Sequence, residues 1–376
     1  MVERLLAKEK VAGSTPVCRS KRFQLRLVFF VVSAFLSYTP LMFSRPPLLL
    51  CLLGLSLLAF WGTIAAPSRI SPEPSQSSAL AANPTTELSS AAQQPVTITF
   101  VGDIMLAREV EKAIIANGVD YPFAAIKDQW ADSDLVIGNF EDTVRPVYRD
   151  EGSVLAFDTQ PAHITGLKTA GFTDLSLANN HGDDFGSAVT DATRQALMDL
   201  GLTTFGDPVE SQLHIAHWKS SPSYEGVSGG LNIALIGFHA FLEEPQTIAT
   251  AIKAEKAAGN FVIVMPHWGN EYQVEPSPAQ VDAAQMFAYA GADLIVGAHP
   301  HIIEPIKTVG NIPVAYSLGN FVFDQDWSVA TTQGLMLQIT IDAKTITITP
   351  IAIDIHNRQP KLGTFPVPAT QTWNRK

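Results

Sequence analysis

Five polar clusters in this 376-residue chain each end an apolar run, and their residue types suit one kind of chemistry. They are Gly102-Asp103, Gly138-Asn139-Phe140-Glu141, Ala178-Asn179-Asn180-His181, Pro266-His267-Trp268-Gly269 and Gly297-Ala298-His299-Pro300-His301. A hard divalent cation collects oxygen and nitrogen ligands from several directions. Carboxylate, amide and imidazole groups delivered by separate strand ends therefore point to a shared metal site. Mixed oxygen and imidazole ligation suits Mn, Fe or Zn better than Ca, with one or two ions at the site. A lone histidine at such a place is usually a satisfied loop residue, but five clusters with one topological address reverse that reading.

The elements that must position these clusters can be read from the apolar periodicity. The β-branched run at 96–101 predicts a buried strand, and 135–137, 175–177, 233–236, 262–265 and 294–296 read likewise. Between them, 107–116, 161–170, 186–200, 246–258 and 278–290 have helical composition and spacing. Ser277-Pro278 supplies the last of these with a cap and a first-turn proline. Segments 313–318, 334–342 and 345–353 read as successive strands, and the Thr/Ile alternation at 345–349 predicts one exposed face. The expected fold class is α/β, a layered sandwich of mixed sheets flanked by helices that finishes in antiparallel strands. In such sheets ligands collect outside the carboxyl ends of strands, where the clusters fall.

Composition narrows the function. Hydrophobic residues make up 46% of the chain and charged residues only 16%, enough for a sizeable core. Residues 1–26 carry seven Lys or Arg against two Glu; the remaining 18 basic and 34 acidic residues give 27–376 a net charge of −16. Such a surface repels nucleic acid, and an anionic substrate there needs local positive charge, which a bound metal supplies. Two uncharged runs, 27–43 and 48–66, suit membrane segments, and the second is long enough to span a bilayer. One span places the rest of the chain outside the cytoplasm and two return it inside; a start at Met42 would make the second run an export signal or uncleaved anchor. The reading adopted is an N-terminal basic segment with a membrane anchor or signal over 1–66 and a Ser/Pro/Ala-rich linker over 67–95. A catalytic domain over 96–355 and a C-terminal tail over 356–376 follow, with the domain on the outer side of the cell membrane. Both cysteines, Cys18 and Cys51, precede the linker, which agrees with an exported domain.

The motifs are more specific together than singly. Gly102-Asp103-Ile104-Met105-Leu106, Gly138-Asn139-Phe140-Glu141, Ala178-Asn179-Asn180-His181 with Asp184-Phe185-Gly186, His267-Trp268-Gly269-Asn270-Glu271-Tyr272, Gly297-Ala298-His299-Pro300-His301 and Tyr316-Ser317-Leu318-Gly319-Asn320-Phe321 appear in one order over about 97–325. In this the chain resembles the CapA family of poly-γ-glutamate capsule synthesis proteins, whose fold is similar to that of calcineurin-like metallophosphoesterases. The resemblance implies that Asp103 and His301 serve one metal, that Glu141 bridges, and that Asn180, His267 and His299 serve a second. It implies for His181 a place beside the substrate as general acid or orienting group, since an imidazole can trade a proton near physiological pH. The chain departs from the wider phosphoesterase pattern at Asp103-Ile104-Met105, where an imidazole is replaced by Met105, and in having Glu rather than Asp at the bridging place.

Other motif residues carry two readings each. Glu271 is a catalytic carboxylate or a partner that orients His267. Trp268 and Tyr272 either close the core or stack on substrate. Asp184 is a helix cap or a group behind the ligands, and Gly319-Asn320 shapes a turn. Arg108 and Lys307 are candidate anion contacts or solvated charges. The functional expectation is synthesis, release or export of an anionic polymer such as poly-γ-glutamate by a metal-dependent hydrolase. The alternatives are a non-catalytic polymer-binding subunit of a membrane synthesis complex and a general phosphoesterase.

Overall fold

The computed structural model describes residues 95–145, 155–209, 213–221 and 230–375. The membrane segments expected at 27–43 and 48–66 and nearly all of the linker lie outside the described residues, among which no helix is long and apolar enough to cross a membrane.

The described residues open with β1 (Val96–Ile104), α1 (Arg108–Asn117), β2 (Leu135–Phe140) and the short pair β3 (Thr143–Val144) and β4 (Asp158–Thr159). Next come α2 (Thr165–Thr169), β5 (Asp174–Ser176), α3 (Ser187–Asp199), β6 (Thr203–Phe205), β7 (Ala216–Lys219) and β8 (Asn232–His239). Then α4 (Pro245–Ala257), β9 (Phe261–His267), α5 (Pro278–Ala290) and β10 (Leu294–Val296) repeat the alternation. The end is nearly all strand: β11 (Ile303–Val309), β12 (Ile312–Leu318), β13 (Asn320–Val322), β14 (Gln333–Ile341), β15 (Thr345–His356), β16 (Gln359–Leu362) and β17 (Gln371–Asn374).

These strands form two mixed sheets, with β3 and β4 pairing separately. One runs β16-β15-β14-β1-β2-β5-β6, with β13 added beside β1 and β17 beside β15; the other runs β11-β12-β10-β9-β8-β7. The period of two along each strand sorts the core into layers. Ile98 and Phe100 of β1 pack with Leu235 of β8 and Ile263 of β9 between the sheets. On the outer face of the first sheet, Val110 and Ile114 of α1 and Leu197 of α3 cover Val136 and Leu175. On the outer face of the second, Ile248 and Ile252 of α4 and Phe287 of α5 cover Ile236 and Val264. Buried on both faces, β8 from Ile233 to Phe238 and β9 from Phe261 to Pro266 are apolar, and the expected layered α/β class holds.

Several boundaries differ from those read in the sequence. The helix expected at 161–170 is confined to α2, and α5 spans 278–290 as expected, with Ser277 and Gln280 closing a capping box. The expected C-terminal tail at 356–376 is instead sheet: β15 runs to His356, and both β16 and β17 pair with it antiparallel. Trp373 of β17 enters the core between the sheets and donates its indole N–H to Thr308 Oγ1 at 2.9 Å. Four-residue strands carry too little periodicity to be legible, and only the partner strand makes them form. The alternation at 345–349 gives the half-exposed strand expected of it.

Candidate metal centre

Strand register delivers the polar clusters to one place. Asp103, one residue before the end of β1, lies opposite Asn139 on β2 and opposite Asn320 on β13. His267 ends β9 opposite His239, which ends β8. Glu141 directly follows β2; Asn180 and His181 follow β5; His299 and His301 follow β10. The approach of β1 to the chain at Gly319 needs a glycine at 102, because a Cβ there would stand 1.9 Å from the Gly319 carbonyl oxygen. His299 and His301 both hold positive φ, 100° and 59°, a conformation costing about 1–3 kcal/mol each that persists where surroundings impose it.

Glu141 is the centre of the cluster. Its Oε1 lies 3.9 Å from His181 Nε2, 3.9 Å from His267 Nε2 and 3.7 Å from His301 Nε2. Asn139 braces the groups from behind: its Nδ2 donates to Asp103 Oδ1 at 2.8 Å and faces Glu141 Oε2 at 3.3 Å and His267 Nδ1 at 3.2 Å. Asn179 Nδ2 donates in turn to Asn139 Oδ1 and to the Phe140 carbonyl. His267 Nε2 meets Asn180 Oδ1 at 2.6 Å, so these two atoms already converge on one point. Asp103 Oδ2 faces His301 Nδ1 at 3.3 Å.

The donor set fits a cation. Asp103, Glu141, His267, His299 and His301 are all buried, and no hydrogen bond reaches Glu141 Oε1 or His299 Nδ1. Two sets, Asp103-Glu141-His267 and Glu141-His299-His301, each offer three ligand atoms within 4.8 Å of one another. Both share Glu141, which is the bridging place the sequence resemblance implies, although they divide the remaining ligands differently from that resemblance. Burial, then the charges of Asp103 and Glu271, pushes the Glu141 carboxyl well above the usual carboxylate range. Burial, then the neighbouring imidazoles, holds His267 and His299 well below the usual histidine range. Desolvated acceptors of this kind are what a divalent ion satisfies.

The remaining expected residues sort by contact. Trp268 is buried and donates to the Tyr316 carbonyl at 2.8 Å, closing the core. Tyr272 is 41% exposed, stacks on His301 and meets Trp327 edge-on, at the mouth of the site. Glu271 is exposed at the same mouth; both ring nitrogens of His267 face asparagines instead, so the orienting role falls to Asn139 and Asn180. Asp184 is no helix cap, since α3 is preceded by Gly186 without a side-chain cap; it accepts from His181. Arg108 is ion-paired with Asp324 and lies over the Phe157 ring, while Lys307 pairs with Glu275, both exposed. Gly319-Asn320 does more than turn the chain, because Asn320 opens β13 and its Oδ1 faces His301 Nδ1 at 3.0 Å. Sequence reasoning passed over His239 and Phe241, whose rings lie 6.2 Å from His267 and 4.7 Å from His299. The signal was present: 233–236 is a strand like the others, and its polar end is His239.

A two-sheet α/β protein with a buried carboxylate and imidazole cluster at its strand ends is thus defined by geometry. The profile of the family described as "Bacterial capsule synthesis protein PGA_cap" matches residues 97–325. Over 293 residues, 71% of this chain and 69% of the relative, it is 32% identical to "Capsule biosynthesis protein CapA" of Bacillus anthracis. It is 33% identical over 282 residues, 70% of this chain and 72% of the relative, to "PGA biosynthesis protein CapA" of Bacillus subtilis. A "Probable polyglutamine synthesis accessory protein" of Mycobacterium tuberculosis is 26% identical over 171 residues, 40% of this chain and 45% of the relative. The chain belongs to the PGA_cap family, as its resemblance to CapA implied.

Proposed function

We propose that this chain acts in the synthesis, release or export of an anionic capsule polymer of the poly-γ-glutamate type, as a metal-dependent hydrolase. The relatives named for capsule and polyglutamate biosynthesis support the first part. The observation that carries the second is Glu141 Oε1, buried without a hydrogen bond among three imidazole Nε2 atoms. On this reading the fold is a variant of the calcineurin-like metallophosphoesterase sandwich, which suits its two sheets with acidic and imidazole groups at one edge.

Asp103, Glu141, Asn180, His267, His299 and His301 would hold Mn, Fe or Zn. A bound divalent ion there supplies positive charge to a polymer carboxylate, amide or phosphoester oxygen and acidifies water. The charge of Arg108, a guanidinium paired with Asp324, reaches Glu141 and favours its ionised form. His181 is poised for proton transfer, its Nε2 facing the cluster and its Nδ1 held by Asp184. Phe241 and Tyr272 flank His299 and His301 and narrow the access of water. The domain works outside the cytoplasmic membrane, held there by residues 1–66 and the 67–95 tether.

Elemental analysis tests the metal reading. The native protein is expected to carry divalent transition metal, and a His299→Ala, His301→Ala double variant much less. Equal metal in both, or none in either, would remove the site as drawn.

A further inference from the structure

The orientation of two side-chain amides, those of Asn320 and Gln325, can be read without ambiguity, starting from one backbone carbonyl. Thr331 O can only accept, and Asn320 places Nδ2 against it at 3.0 Å. The second hydrogen of that Nδ2 goes to Gln325 Oε1, also at 3.0 Å. Asn320 Oδ1 must then face His301 at 3.0 Å, beside Asp103 Oδ2 at 3.3 Å from the same nitrogen, so the imidazole Nδ1 carries the proton and its Nε2 lone pair points at Glu141. With Gln325 Oε1 used as acceptor, its Nε2 donates to the Tyr272 hydroxyl oxygen at 3.1 Å. The phenol therefore keeps its own hydrogen for another acceptor.

That phenol belongs to the same unit. Tyr272 has φ 61°, unusual for an aromatic residue, and its N–H is tied to the Pro300 carbonyl at 2.9 Å. This brings its ring to stack on His301, with centroids 6.1 Å apart. Asn320 and Gln325 are buried, whereas Tyr272 is part exposed at the mouth. The path from Thr331 to Tyr272 thus starts inside the protein, passes behind a candidate ligand and emerges where substrate arrives.

We propose that Asn320 and Gln325 are positioning residues which set, from the fixed Thr331 carbonyl, both the tautomer of His301 and the direction of the Tyr272 hydroxyl. Tyr272 is then a substrate-facing donor. Because Gln325 donates to the phenol oxygen, the hydroxyl hydrogen is left for another acceptor, and a carboxylate or amide oxygen of the polymer takes it in the complex. The inference rests on the metal and polymer reading given above for the use of Nε2 and of the phenol, but not for the hydrogen-bond directions themselves.

Three measurements on the full chain test it. Nitrogen NMR of the metal-free protein near pH 8, about 1.5 units above an ordinary histidine pKa, should find the His301 proton on Nδ1, with the signal assigned by its loss in His301→Gln. Finding that proton on Nε2 overturns the proposal without any variant in the path. Asn320→Leu should weaken Zn²⁺ binding by about 10–100-fold, as loss of a ligand's outer partner does. Unchanged affinity in a variant with native circular dichroism overturns the positioning role. Gln325→Glu keeps the acceptor for Asn320 but turns the phenol hydrogen back inward, so Zn²⁺ affinity and the His301 tautomer should hold while poly-γ-glutamate binds about tenfold more weakly. Unchanged polymer binding there overturns the role of Tyr272. An unsubstituted chain that binds no Zn²⁺ would instead sink the metal reading, while the tautomer still decides this one.

Discussion

His181 Nδ1 lies 2.8 Å from Asp184 Oδ2, the same oxygen that accepts the backbone N–H of Phe157 at 2.8 Å. The Phe157 ring in turn stacks on His181 with centroids 3.7 Å apart, and the Arg108 guanidinium covers its other face at 4.5 Å. One carboxylate therefore fixes both the imidazole and the aromatic plate beneath it. The adjacent Asn180 faces His267 while His181 faces Glu141, so neighbouring residues following β5 meet different parts of the cluster.

Loss of His181 should separate chemistry from metal retention. His181→Ala is expected to keep metal and fold while hydrolysis or polymer production falls by about 10²–10⁴-fold. Asp184→Ala leaves the imidazole in place but unaimed, and a loss of up to roughly 10²-fold is expected. Near-normal activity in His181→Ala would favour a polymer-binding role without catalysis, and loss of metal would make His181 a ligand.

Metal-induced stabilisation should grow with pH. His267 and His299 lie well below their ordinary 6.5, first through burial, so the unfolded chain binds more protons and metal-free stability is lost as pH falls through 6.5. Glu141 lies well above its ordinary 4.5, first through burial and then through Asp103, so the folded chain binds more protons. Its contribution therefore erodes as pH rises above 4.5. A cation needs Glu141 ionised, and so competes there with the proton that burial favours. The rise in Tm on adding Mn²⁺ or Zn²⁺ should be small near pH 5 and large near pH 7.5, about one unit above an ordinary histidine pKa. A pH-independent rise in calorimetry would contradict this account.

Gly102→Ala should damage fold and site together. Its Cβ would sit 1.9 Å from the Gly319 carbonyl oxygen, the acceptor of the Asp103 N–H, so β1 must move away from that chain. A loss of about 1–3 kcal/mol or more is expected from chemical denaturation, with weaker metal binding because Asp103 and Asn320 share that register. Wild-type stability in this variant would show that the approach relaxes freely.

The outer location proposed for the domain can be read with protease. Added to intact spheroplasts, it should degrade the folded domain. Protection until lysis would support two membrane spans with the domain inside.

The sequence by itself determined the fold class and which carboxylates and imidazoles gather at the strand ends. Long apolar runs such as those of β1 and β9 need no partner to be recognised, and a carboxylate or imidazole placed just past such a run has one address in an α/β sheet. It also separated two readings of Trp268 and Asp184 without choosing between them, because a side chain's partner is not a property of its own segment. Tertiary structure alone decided those choices, and likewise that Asn320 rather than an empty turn stands behind His301, that Asn139 rather than Glu271 braces His267, and that 359–362 and 371–374 are strands. Each of these depends on register between segments far apart in the chain, and hydrogen-bond direction and short-strand pairing exist only once that register is fixed.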